Sequence, residues 1–168
     1  MKMTLNARLR SSSASPGVDI PVGGALIEMK FMAVRSFFDT NVLVYSDDKA
    51  TAAKQKVALK LIADHRRNRT GVLSLQVLQE YFVTITRKLG VDAAIGRRKV
   101  ELLAEFDVVA MGIVDVLAAI DLHRLHGFSL WDALIIRAAK QSGCRVLFSE
   151  DLQNQREIDG IHVINPFC

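Results

Sequence analysis

Four acidic residues, Asp39, Glu80, Asp132 and Asp151, each stand beside an apolar segment. Gathered at one point, carboxylates repel and raise one another's pKa unless a cation neutralises them. Hard divalent ions such as Mg²⁺ or Mn²⁺ prefer oxygen ligands of this kind. An ion held in that way activates water and steadies the charge growing on a phosphoryl group, which is the chemistry of phosphodiester hydrolysis. Zinc fits less well, because the four histidines show no ligand spacing and Cys144 and Cys168 lie far apart. Taken singly, each acid also has a structural use. Asp39 and Asp151 can cap a helix or a turn. Asp132 suits the positive end of a helix dipole, and Glu80 can edge a buried face. Only their joint placement favours a site.

That placement depends on the elements around them. Val34, Phe37 and Phe38 form an apolar run that ends in Asp39, as a buried strand does. Thr40 and Asn41 supply turn and cap chemistry before a helical segment resumes at Val42–Tyr45. A helix is predicted over 47–67, with Ala50, Ala53, Val57, Leu61 and Ile62 inward. It closes on His65-Arg66-Arg67-Asn68-Arg69, which reads as a solvated helix end that could also touch phosphates. A strand over 71–74 leads into a helix over 74–89. Leu75, Leu78, Phe82, Ile85 and Leu89 form its inner face, with Glu80 on the flank. A helix over 92–103 carries the basic cluster Arg97-Arg98-Lys99, and a strand follows over 106–111. The next helix, 114–125, turns Val114, Leu117, Ile120 and Leu125 inward. Ser129 caps the helix 130–142, which carries Asp132 in its first turn. Strands over 145–148 and 161–164 complete the pattern, with Ser149-Glu150-Asp151 after the first of them. Strands alternating with helices predict an α/β fold whose mainly parallel sheet is covered on both faces. In such a sheet the strand ends and helix starts share one edge, where all four acids can converge.

The 168 residues suffice for one domain with a real core, and half are hydrophobic, which excludes a disordered chain. No apolar run approaches the ~20 residues of a membrane-spanning helix. The charge of +4 and pI of 9.3 suit a polyanionic partner only weakly. Part of that charge lies in residues 1–31, where four basic residues face two acidic ones. Ser11–Gly17 has a linker composition, no secretory h-region follows the basic start, and Met29 and Met32 are alternative starting points. The expectation is an extension over 1–31 with no role in the fold, or a basic arm, and a domain over 32–168. Two reduced thiols in the cytoplasm are expected rather than a disulfide.

Phe38-Asp39-Thr40-Asn41-Val42-Leu43, Glu80 within its helix, Trp131-Asp132-Ala133-Leu134-Ile135 and Leu147-Phe148-Ser149-Glu150-Asp151-Leu152 resemble, in order, the motifs of the PIN-domain family. The resemblance covers about 33–166 and is nearest to VapC-like toxins of bacterial toxin–antitoxin pairs. It implies a three-layer α/β/α fold and a Mg²⁺- or Mn²⁺-dependent endoribonuclease acting on RNA. It also implies a homodimer held inactive by a small antitoxin protein. Asp39, Glu80, Asp132 and Asp151 match the family's acidic metal-site positions, and Thr40, Asn41 and Ser149 its supporting polar ones. Asp151 is taken over its neighbour because the family pattern is a hydroxyl residue, any residue, then Asp, which leaves Glu150 an assisting role. The long start departs from these compact toxins. Tyr81, Phe82 and Val42–Tyr45 supply apolar residues beyond the needs of one helix face, and a dimer surface is expected there. The antitoxin is expected to cover part of the acidic cleft and to bring a cation to it. Two rivals are weighed. A haloacid-dehalogenase-type phosphoryl transferase wants a second Asp where Asn41 stands. A PIN-like module that binds RNA or protein without cutting has no use for four intact acids.

Overall fold

The computed structural model describes residues 34–168. The expected extension over 1–31 lies outside the described residues. In chain order the elements are β1 (Ser36–Phe38), α1 (Thr40–Tyr45), a 3-10 turn (Lys49–Thr51), α2 (Ala52–Asn68), β2 (Gly71–Ser74), α3 (Leu75–Arg87), α4 (Ala93–Leu103), β3 (Asp107–Val109), α5 (Ile113–His126), α6 (Leu130–Gln141), β4 (Val146–Phe148), β5 (Glu157–Ile158) and β6 (Ile161–Ile164). The sheet runs β3-β2-β1-β4-β6-β5. All neighbours are parallel except β5 and β6. Phe37 of β1 sits opposite Val72 of β2 and Leu147 of β4. All residues of β1, β2 and β4 are buried, which explains their unbroken apolar runs: a parallel strand covered on both faces has no wet side.

From β1 the chain steps outward to β2 and β3, then returns to β4 on the other side of β1. Right-handed crossovers therefore send α1 to α4 to one face and α5 and α6 to the other. The reversal leaves a crevice between the carboxyl ends of β1 and β4, the usual ligand position in such sheets. Among the described residues no helix is long and apolar enough to cross a membrane.

Several expectations are corrected. The helix expected over 47–67 begins at Ala52, because Asp48 caps a separate turn by accepting from the Ala50 amide at 2.9 Å. Ala50 and Ala53 are exposed there, while Ala58 and His65 point inward. On α3 the buried residues are Val77, Leu78, Tyr81 and Ile85, and Leu75 lies outside. On α5 the outcome is reversed. Leu117 is 55% and Leu125 78% exposed, Val114 is exposed as well, and Asp115 and Ala119 face inward. The reason is polar. Asp115 accepts from the Gly112 amide at 3.1 Å and from Arg137 of α6 at 2.8 and 3.0 Å. This link seats α5 on α6 through Asp115 and a small alanine, so the bulky residues are left outside. The short β5 was not foreseen. It joins β6 through Asp159-Gly160, both at positive φ (54° and 82°), a two-residue turn whose twist matches a hairpin.

Candidate active site

Asp39 immediately follows β1 at the mouth of the crevice and is 7% exposed. It caps α1: one carboxylate oxygen accepts from the Thr40 amide at 2.6 Å. The other accepts from the Ser149 hydroxyl at 2.6 Å and from the Asn41 amide group at 3.0 Å. Burial pushes the Asp39 carboxyl up to about 6, more than the bonds from Ser149 and Thr40 draw it down, and the negative charges of Asp151 and Asp132 raise it further. The capping role and the site role thus coexist in one residue. A cap alone would leave the carboxylate in water, whereas this one is buried and, among the described residues, has no basic side chain paired to it.

Ser149 follows β4, the parallel neighbour of β1, and so arrives beside Asp39. Its hydroxyl donates to Asp39 and accepts from the Asp151 amide at 3.2 Å. Asn41 bridges the two chain segments. Its side-chain amide donates to Asp39 and to Asp151 at 3.0 Å each, and its oxygen accepts from the Glu150 amide at 3.3 Å. Glu80, on α3, accepts from the Thr40 hydroxyl at 2.9 Å. Gln76, one helical turn earlier and unnoticed in the sequence, donates to its second oxygen at 2.9 Å. Asp132 stands in the first turn of α6. The Ser129 hydroxyl caps its amide at 3.0 Å and donates to its carboxylate at 2.7 Å. Asp132 reaches Asp39 through its field rather than by a hydrogen bond.

Glu150 faces elsewhere. Lys54 and the Tyr45 hydroxyl hold its carboxylate, and Tyr45 in turn packs edge-on against Phe167 at 4.8 Å. Burial, the largest single effect, raises the Glu150 carboxyl, but the contacts with Lys54 and Tyr45 together outweigh it and hold the group below its usual value. Lys54 was read only as a wet-side residue, and nothing local signals a partner 96 positions away.

The structure therefore joins Asp39, Thr40, Asn41, Glu80, Ser149 and Asp151 in one hydrogen-bonded cluster, with Asp132 at its rim. Among the described residues no ion pair to Asp39, Glu80, Asp132 or Asp151 is formed. Among them also, no three His, Cys, Asp or Glu side chains stand arranged to hold a metal ion as they are. The donor chemistry nonetheless fits a hard cation: the set is carboxylate oxygen, one member is buried, and no basic side chain offsets it.

Compared with protein families, the chain matches the PIN domain over residues 36–161. Among solved structures it is similar to Mycobacterium tuberculosis VapC20, described as a sarcin-ricin loop cleaving toxin, at 21% identity and a TM-score of 0.58, over 69% of this chain and 91% of that one. It is also similar to a toxin-antitoxin complex from Klebsiella pneumoniae, at 19% identity and a TM-score of 0.58, over 78% of this chain and 97% of that one. At these identities the likeness is one of fold. The comparison with curated proteins found no match.

Proposed function

Because this chain belongs to the PIN domain family, we propose that it is a divalent-metal-dependent endoribonuclease, the toxin of a toxin–antitoxin pair. One observation carries the reading: the buried Asp39 carboxylate at the sheet's reversal point, tied through Ser149 and Asn41 to Asp151. Asp39, Glu80, Asp132 and Asp151 would hold Mg²⁺ or Mn²⁺. When bound, such an ion supplies an activated water and stabilises charge on the phosphoryl oxygens. The chain's own part is positioning. Ser149 and Asn41 fix the Asp39 and Asp151 carboxylates relative to each other, and Thr40 and Gln76 fix Glu80. The Ser149 and Thr40 hydroxyls each donate to a carboxylate, which holds Asp39 and Glu80 in place.

Purified protein is incubated with total RNA in Mg²⁺, in Mn²⁺ and in chelator. Cutting is expected with an ion and not with chelator. Cutting that survives chelation would overturn metal dependence. A second reading, a PIN-like module that binds RNA or protein without cutting, draws on the finding that among the described residues no three His, Cys, Asp or Glu side chains are arranged for an ion as they stand. Binding without cutting in either ion would favour it.

The domain is proposed as residues 32–168, acting in the cytoplasm where its RNA lies, as a homodimer and under a cognate antitoxin that enters the acidic crevice with a cation. Of the residues expected at a dimer surface, three are already buried within one chain. Tyr81, Val42 and Leu43 belong to the core, and Tyr81 donates its hydroxyl to Asp47. The outer side of α5, with Ile113, Val114 and Leu117 exposed, is one apolar face that would suit a second copy.

A further inference from the structure

The edge of the sheet opposite the acidic crevice, where the parallel strands begin, holds a cavity of about 660 Å³. Its wall carries three arginines: Arg35 just before β1, and Arg66 and Arg69 at the end of α2. Phe106, just before β3, forms an aromatic side. Gly71 makes room for it, because a Cβ at that position would lie 2.2 Å from the Phe106 ring.

Arg35 pairs with Asp107 and Arg66 with Glu105, both partners also lining the cavity. These side chains are about half exposed, and such pairs are weak and readily exchanged for a better anion. Arg69 forms no ion pair among the described residues, so one cation is in excess. Its backbone is left-handed at φ 54°, where a helix end favours glycine. An arginine is therefore held at this mouth at a conformational cost.

A second observation is independent of the charge. His65 lines the same cavity and is fully buried. Its Nδ1 lies 2.7 Å from the Thr70 hydroxyl, and its Nε2 has no hydrogen-bond partner. The ring also packs edge-on against Phe38 and Phe148, with centroids 5.2 and 5.4 Å away, so Nε2 is enclosed by aromatic side chains and a ligand would reach it only by displacing them. Burial draws the imidazole down to about 4, so the ring is neutral and its Nε2 can donate or accept according to the tautomer.

Guanidinium groups bind phosphate oxygens in a planar fork. Carboxylates released from their arginines accept from ribose hydroxyls or base amino groups. The volume is that of an ordinary small-ligand site. We propose that this cavity binds a phosphorylated nucleoside, supplied either as a free nucleotide or as a unit of an RNA strand, at a site separate from the acidic crevice.

The test uses the full chain carrying Asp39→Asn, in chelator, titrated calorimetrically with AMP, with inorganic phosphate and with a short single-stranded oligoribonucleotide. Saturable AMP binding is expected, tighter than phosphate, with Arg66→Ala and Arg69→Gly each weakening it about tenfold. Arg69→Gly is the decisive variant, because glycine relieves the left-handed backbone. Its thermal midpoint should hold or rise while binding falls, which loss of folding cannot mimic. Arg97→Ala, an exposed arginine on α4, should leave binding unchanged. An oligonucleotide that binds more tightly than AMP and loses affinity with Arg69→Gly identifies the strand as the source. Equal affinities identify the free nucleotide. The proposal is overturned by absence of saturable binding up to millimolar ligand. It is also overturned by binding that Arg69→Gly leaves intact or that Arg97→Ala weakens equally.

Discussion

Asp39→Asn separates the two roles of this residue by their opposite responses to pH. In the folded chain the Asp39 carboxyl titrates at about 6, against 3.8 for a free aspartate. A carboxyl raised on folding binds its proton more tightly in the folded state. Its contribution to stability is present below pH 3.8 and is lost as pH rises to 6. The difference of about two pH units corresponds to about 3 kcal/mol of destabilisation at neutral pH. Asparagine removes that penalty but places an amide donor where Asp39 accepts from Ser149 and Asn41, at a cost of about 1 kcal/mol per misfit hydrogen bond. Net stability at pH 7 should therefore be unchanged or higher by about 1–2 kcal/mol. The assay is urea denaturation followed by circular dichroism, in chelator, for parent and variant between pH 4 and 7. The stability of the variant relative to the parent should grow by about 2–2.5 kcal/mol across that interval. Nuclease activity should fall by orders of magnitude, since each ~1.4 kcal/mol is tenfold in rate. A difference independent of pH, or a variant less stable at pH 7 by the ~0.5–2 kcal/mol of a lost cap, would refute the argument.

Glu80→Gln, Asp132→Asn and Asp151→Asn should each stay folded with little activity, and each should gain less thermal stability than the parent on adding Mn²⁺. Glu150→Gln should be the mildest of the series, because its carboxylate is committed to Lys54 and Tyr45; RNA cleavage assays rank them. Gly71→Ala should lower stability by about 1–3 kcal/mol in denaturant titration, since the added methyl meets the Phe106 ring. Leu117→Asp should convert a dimer into a monomer by light scattering while the chain stays folded, Leu117 being 55% exposed. A chain starting at Met32 should fold and keep its nuclease activity; loss of soluble, active protein would return a role to residues 1–31.

The sequence exposed those parts of the molecule whose signals are local. Phe37-Phe38 before Asp39, and Val146-Leu147-Phe148 before Ser149, mark buried strands that end in polar residues. Two such strands, if parallel neighbours, bring those residues together. The inward face of α5 was hidden because apolar residues surround that helix on all sides. Its orientation is chosen by a hydrogen bond from Arg137 to Asp115 across 22 positions. The Lys54–Glu150 pair was hidden by distance along the chain. The β5–β6 hairpin was legible and overlooked: Asp159-Gly160 between short apolar residues is a strong hairpin signal.

The reversal of strand order has a consequence in time. Asp39 and Ser149 are 110 positions apart, and their meeting requires β4 to dock beside β1 from the far end of the chain. β1, β2 and β3 can pair as soon as they are made, since each follows its neighbour in synthesis. That half-sheet carries Asp39, Glu80 and their supports, but not Asp132, Ser149 or Asp151. A ribosome making this chain therefore holds an unfinished site until the last segments emerge. Under the proposed toxin role, an antitoxin made alongside it would have that interval to bind before the site is complete.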